Sequence, residues 1–408
     1  MSMGRYMFIT VGTGRYREDI AKAILKSIEN YNPDKVIFLC TDKSKTETIP
    51  FIEKEYKNFE VVTLGDENDF ELIKQKCDEV IGNFKREENY IIVDYTSGTK
   101  AMSAGIILSA TENEVNNISY IAGRRDESGR VIPGTERILS FYPNQIYGKR
   151  LYVEGIKYFN ERLFESAKKL FETVIETYGG DSIREKASLL IKLCNAYLSW
   201  DLFNHSEAFE ILKGLSKEEM TLIANWNIKS RIEKDKELLY KLNEKQFSIE
   251  KALDLLKNAE RRLLEGKYDD CVARLYRLIE YIVQFRIAEK NLYVKTNDGY
   301  DTSRIDLYEI PEHLRDRYSK PSGLEASAKL LKELNDEIGI EICDSGEVKK
   351  LLSARNSSIL AHGFKPIEKE TAEKFFNLLK GFVQKLGPFN FEDIYRKFDF
   401  PQIKMTVA

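Results

Sequence analysis

Of the three histidines in this 408-residue chain, His362 stands seven residues after Arg355, in Ala354-Arg-Asn-Ser-Ser-Ile-Leu-Ala-His-Gly363. An imidazole that titrates near neutrality beside a permanently charged guanidinium suits the cutting of a phosphodiester. Read as one helix over 346–362, the spacing is nearly two turns and puts both side chains on one face. Asn356 adds a polar group next to the arginine, and Gly363 with Pro366 supplies C-terminal punctuation. A plainer role also fits His362, that of a side chain interacting with a helix C-terminus. His205, in a helix connection, and His313, beside Pro311, fit solvated or packed positions. Arg274, Arg277 and Glu280 share a face of a long helical pattern over 268–288. An ion-paired face explains them, and Glu280 is the member that would support the Arg355 site.

A second group of residues suits an anion. Thr10-Val-Gly-Thr-Gly-Arg15 and Asp94-Tyr-Thr-Ser-Gly-Thr-Lys-Ala-Met102 each follow a strand-like run and lead into a helical pattern. Glycine lets the backbone approach a ligand, hydroxyls bond to it, and a helix N-terminus offers free N–H groups. Arg15 and Lys100 add charge, so the pair of loops fits a ligand with several phosphates. Gly12-x-Gly14 begins a dinucleotide fingerprint with Asp42 as ribose acceptor, yet Arg17 fills the position of the third small residue. Ser97-Gly-Thr-Lys lacks the spacing of a P-loop. Ordinary turns and caps are the remaining alternative.

The elements that would hold these groups follow from periodicity. Short β-branched and aromatic runs at 6–11, 35–40, 59–64, 90–95, 118–122 and 137–142 are strands, and the helical patterns between them lie at 18–31, 69–84 and 100–110. Such alternation predicts a Rossmann-like, mostly parallel α/β sheet over 1–145, whose last two strands form a hairpin. A helical connector over 146–250 follows, and a helix end, a short turn and a second helix recur at Tyr158 and Tyr197 within it and at Leu264 beyond it, as in tetratricopeptide-like hairpins. The all-α remainder, 251–408, carries helices at 268–288, 323–337, 346–362 and 371–385. A polar excursion at 294–321 holds Tyr300, Tyr308 and Tyr318, which fit base stacking or loop anchoring, and a Phe-rich tail follows Gly387.

A net charge of −3 excludes a globally basic nucleic-acid binder. Five dispersed cysteines without a CxxC pair support neither a disulfide framework nor a zinc site. No run reaches the roughly 18 apolar residues of a membrane span, and no helix-turn-helix reader is evident. A cytoplasmic protein that binds neither membrane nor DNA is expected.

The Asp94–Met102 loop resembles the signature loop of CARF domains, the ligand sensors of type III CRISPR accessory proteins, with Ser97 where a glycine is common. Arg355-Asn356 followed by His362 is similar to the R-x(4–6)-H motif of HEPN ribonucleases, the usual C-terminal partner of CARF. The resemblance implies an allosterically activated, metal-independent endoribonuclease of antiviral defence that cuts single-stranded RNA to 2′,3′-cyclic phosphate ends. It would work as a homodimer, with Arg355, Asn356 and His362 catalytic. The activator implied is cyclic oligoadenylate, of four adenylates in the first instance and six as runner-up. Thr10, Gly12, Thr13, Gly14 and Arg15 would form one wall of its pocket, and Asp94, Thr96, Ser97, Gly98, Thr99 and Lys100 the other. Slow degradation of the activator by Thr10 and Thr13 belongs to the same expectation. A non-catalytic nucleotide-sensing regulator is the second reading, and a Rossmann oxidoreductase the third.

Overall fold

A computed structural model describes residues 4–14, 17–85, 89–127, 131–132, 134–177, 181–290, 295–296, 299–300 and 323–404. The chain divides into two units, Met1–Lys157 with Ser166–Leu190, and Tyr158–Glu165 with Ile191–Ala408.

The first unit contains one six-stranded sheet built from β1 (Arg5–Val11), β2 (Lys35–Cys40), β3 (Phe59–Thr63), β4 (Tyr90–Asp94), β5 (Asn117–Ala122) and β6 (Arg137–Phe141). Their order is β3-β2-β1-β4-β5-β6, parallel throughout except for the β5–β6 hairpin. Alternation along β1 shows why both faces are covered. Met7, Ile9 and Val11 pack with α1 (Arg17–Tyr31), while Phe8 packs with α4 (Phe70–Lys85) and α5 (Lys100–Glu112). Each such side chain, fully buried, contributes about 1.5–3 kcal/mol. Two helices absent from the sequence expectation, α2 (Asp42–Glu47) and α3 (Ile49–Glu53), follow β2. They are too short to show a period, although Thr41 and Ser44 form a capping box that starts the first.

The chain reverses direction across the sheet between β1 and β4. In open α/β sheets, ligands bind beyond the carboxyl ends of strands at this switch point. Both anion-type loops lie there, because β1 ends at Val11 and β4 at Asp94.

From Pro143 to Glu289 the described residues are helical: α6 (Pro143–Asn160), α7 (Phe164–Thr177), α8 (Asp181–Asp201), α9 (His205–Lys213), α10 (Lys217–Asn225), α11 (Lys229–Glu244), α12 (Ile249–Leu264) and α13 (Tyr268–Glu289). The three predicted hairpin turns are present and alike. Arg162, Phe203 and Gly266 all have positive φ, at 67°, 63° and 73°. In each turn that residue's N–H reaches back three residues, and the next N–H reaches back five, the bond pattern of a Schellman ending.

Among the described residues the further α-helices are α14 (Leu324–Glu333), α15 (Glu337–Asp344), α16 (Gly346–Asn356), α17 (Lys369–Gln384) and α18 (Phe391–Tyr395). The helix expected over 323–337 is therefore shorter, and α15 is new. Asn335 turns with φ 54° and Asp336 caps α15, accepting from the N–H groups of Ile338 and Gly339. α13 is the central helix of this part, packed against α12, α14, α16 and α17. A buried polar layer ties α12 to the end of α8. Arg261, Arg262 and Asn258 bond Asp201, and Trp200 donates to Asp254 at 3.0 Å.

The Phe-rich tail docks rather than frays. Phe400 lies among Phe164, Tyr197 and Trp200, with Arg261 over its ring at 4.2 Å, and Asn160 exchanges two hydrogen bonds with Ile403. Among the described residues no helix is long and apolar enough to cross a membrane. All five cysteines are free.

Candidate functional site

At the switch point the two loops clasp each other. The Thr10 hydroxyl donates to the Ser97 carbonyl, and the Ser97 hydroxyl donates back to the Thr10 carbonyl at 2.6 Å. The Gly12 N–H donates to the same Ser97 hydroxyl at 3.2 Å. Ser97, the departure from the glycine common in such loops, thus earns its position by tying the two walls together. The walls touch so closely that a Cβ on Gly12 would lie 2.6 Å from the Gly98 nitrogen. Gly98 itself has φ +108°, a conformation that only glycine adopts readily.

Other expected ligand residues turn out to build the loop. Asp94 is fully buried. Its carboxylate accepts from the Ser27 hydroxyl and, at 2.8 Å, from the Thr96 N–H. Burial pushes the Asp94 carboxyl above its ordinary range, and these hydrogen bonds work against the shift. Thr10 is also fully buried and its hydroxyl is committed to Ser97, so it is not placed to orient a ligand hydroxyl as expected. The Thr96 hydroxyl accepts from the Ile121 N–H at 2.9 Å. Thr99 caps α5, accepting from the Met102 N–H at 3.2 Å and donating to the Glu67 carbonyl at 2.6 Å. What remains at the surface is Gly14, Gly98 and Lys100, with Thr13, Ser97 and Thr99 half-buried. Arg15 lies outside the described residues.

The second constellation differs from its sequence reading in one respect. α16 stops at Asn356, so Arg355 and His362 do not share a helix face. The chain instead coils through residues 357–363 and returns. The His362 N–H donates to the Asn356 carbonyl at 3.2 Å, and the Lys365 N–H to the Ser357 carbonyl at 3.0 Å. A Cβ at Gly363 would sit 2.2 Å from the Ser357 carbonyl oxygen, so this return requires glycine. The turn thereby brings His362 back to the end of the helix that carries Arg355.

Arg355 lies with its guanidinium 3.9 Å from the centre of the Tyr276 ring and donates to the Asn356 side chain at 3.1 Å. Tyr276, on α13, was missed by sequence reasoning; its only signal was its place between Arg274 and Arg277. Burial and then the Glu280 charge push the Tyr276 phenol up, with Arg355 opposing. Glu280 pairs with Arg277 at 3.6 Å, and its charge lies near the Tyr276 phenol. Arg274, by contrast, is turned to Asn258 and Asp270. Asn356 and His362 are exposed and Arg355 half-buried, and around them Ile359, Leu360 and Phe364 are exposed at 62%, 50% and 91%. His205 bonds buried Asp254 at 2.8 Å. His313, Tyr308 and Tyr318 lie outside the described residues, as does the Tyr300 side chain.

Residues 148–242 match the Csm6 6H domain family and residues 241–386 the Csm6 HEPN domain family, together more than half of the chain. The chain belongs to the type III CRISPR CARF–HEPN family. It is a ribonuclease of the HEPN type. Among solved structures, its fold is similar to Enterococcus italicus Csm6 bound to cyclic hexa-2′-fluoro-hexa-dAMP, at 15% identity, TM-score 0.62, covering 96% of this chain and 97% of that one. Can2 from Sulfobacillus thermosulfidooxidans, in complex with cyclic tetra-adenylate, matches at 12% identity and TM-score 0.24, covering 50% and 68%. That second likeness is too low to bear on the fold. No curated protein matches.

Proposed function

We propose that this CARF–HEPN ribonuclease is a cytoplasmic antiviral enzyme, switched on when cyclic oligoadenylate binds the two loops at Gly14, Gly98 and Lys100 and cutting single-stranded RNA at Arg355, Asn356 and His362. The reading rests above all on one observation. The His362 N–H returns to the Asn356 carbonyl, beside Arg355 where α16 ends, inside the stretch that matches the HEPN family.

The chemistry follows from the side chains. The RNA 2′-oxygen attacks the adjacent phosphorus and the 5′-oxygen leaves, giving 2′,3′-cyclic phosphate and 5′-OH ends. His362 handles proton transfer at the ribose hydroxyl or leaving oxygen. Arg355, oriented by Tyr276 and Asn356, holds the phosphate and offsets the charge that builds on its oxygens. No step asks for a metal. At the other end, Lys100 and the free N–H groups at the start of α5 take phosphates of the ring, which has four or six adenylates. Ring binding favours the cleaving conformation through its higher affinity for that state.

The test is cleavage of labelled single-stranded RNA in EDTA, without ring and with rings of three, four and six adenylates. Cleavage stimulated by one ring, with cyclic phosphate ends, is expected. Dependence on Mg²⁺ or 5′-phosphate products would overturn the mechanism.

Two copies of the motif are proposed to form one composite cleft. The exposed Ile359, Leu360 and Phe364 beside it are the apolar surface a second copy would cover. The Phe364→Asp variant is therefore expected to elute as a monomer in size-exclusion chromatography with light scattering, and to lose most ring-stimulated cleavage. A dimeric, fully active variant would remove Phe364 from the interface.

A further inference from the structure

The second unit contains a cavity of about 550 Å³ that the proposed reaction does not use. Its walls include Phe203 and His205 from the α8–α9 turn, Lys251 from α12, and Arg274, Arg277 and Tyr281 from α13. The volume lies within the roughly 300–1,000 Å³ usual for small-ligand sites. Among the described residues its lining holds three cations and no carboxylate. Arg274 is paired with Asp270, Arg277 with Glu280 and Gln284, and Lys251 donates to the Gln246 carbonyl, while Asp254 is held by His205 and Trp200.

The aromatic members are set in place at some cost. The Tyr281 hydroxyl is spent on the Ser248 backbone, which leaves its ring as the contact surface. Phe203 is 38% exposed and sits edge-on to His205, with ring centroids 5.6 Å apart. Its φ of 63° is uncommon for a bulky residue. The equivalent turn before α13 is made by Gly266, so the turn itself has no use for a phenyl ring. His205 is equally constrained. Buried Asp254, an acceptor, holds Nε2 at 2.8 Å, so Nε2 carries a proton and Nδ1 is left to bond a hydroxyl.

We infer that this cavity binds one nucleotide of a single-stranded RNA, stacking the base on Phe203 and holding the adjoining phosphate with Arg277 and Lys251. Base stacking on an aromatic ring is tolerant of sequence, and cations tracking the backbone supply the rest. His205 Nδ1 then faces the ribose, where a hydrogen bond with the 2′-hydroxyl distinguishes RNA from DNA. The inference rests on the ribonuclease reading, since the bound strand is the substrate at a point away from Arg355.

The experiment uses the full chain carrying His362→Ala, so that the strand survives, and measures binding of a fluorescein-labelled RNA 20-mer by anisotropy. Adding Phe203→Leu is expected to raise Kd about five- to fifty-fold, and Phe203→Tyr to restore it to within about twofold. The Leu/Tyr contrast reads stacking, because a merely structural residue would not separate the two; equal melting temperatures confirm folding. Unchanged RNA affinity in Phe203→Leu overturns the inference. AMP binding that depends on Phe203 while RNA binding does not would also overturn it, by assigning the cavity to a free nucleotide. Cleavage by the parent chain is scored separately, so failure of the ribonuclease reading is not confused with failure of this one.

Discussion

Replacing His362 with alanine is expected to reduce ring-stimulated RNA cleavage by roughly 100- to 10,000-fold, the range typical of a lost proton-transfer group. Binding of the activator and the melting temperature should stay as they were. The separation is clean because His362 is exposed and its recorded bond in the fold is a backbone N–H to Asn356, which alanine keeps. Exposed substitutions of this kind usually cost no more than about 0.5 kcal/mol. Single-turnover cleavage of end-labelled RNA at saturating ring is the measurement. Wild-type cleavage by the variant would leave a sensor whose helical part binds without cutting.

Gly12→Ala is expected to impair the other end of the protein while leaving the HEPN chemistry intact. Its new Cβ would meet the Gly98 nitrogen at 2.6 Å and the Gly98 Cα at 2.8 Å. Those are backbone atoms, and Gly98 is itself held by the reciprocal Thr10–Ser97 bonds, so neither wall can yield cheaply. Strain of this kind costs about 1–3 kcal/mol, which corresponds to a shift of about 5- to 150-fold in half-activating ring concentration. Titration of cleavage against ring concentration reads the shift, and isothermal calorimetry shows whether it lies in binding. An unshifted titration would separate the crevice from activation.

The two sites differ in how far the chain announces them. The sheet, with its switch point, was legible because β-branched runs alternate with amphipathic ones, and parallel crossovers leave few topologies open. The three helix turns were legible as phrases, since each joins a helix end, a short turn and a second amphipathic helix. The end of α16 was not. No glycine or proline interrupts residues 354–362, and the helix stops because residues 357–363 fold back against its own last turn, with Gly363 on the Ser357 carbonyl. That is a contact local periodicity cannot express. Nor could spacing reveal Tyr276, seventy-nine residues before Arg355, whose ring meets the guanidinium only after α13 and α16 pack. The anion loops were half legible. Their residue types pointed to a ligand, but Asp94, Thr10 and Thr96 have their polar groups turned to one another and to neighbouring strands, and burial decides that.

The docking of Phe400 and Ile403 sets the schedule on which this nuclease comes into being. Its partners Asn160, Phe164, Tyr197 and Trp200 are translated some two hundred residues earlier, and pairings so distant in the chain form late and slowly. The aromatic nest around Trp200 therefore closes late in folding, after the helices that line it have formed.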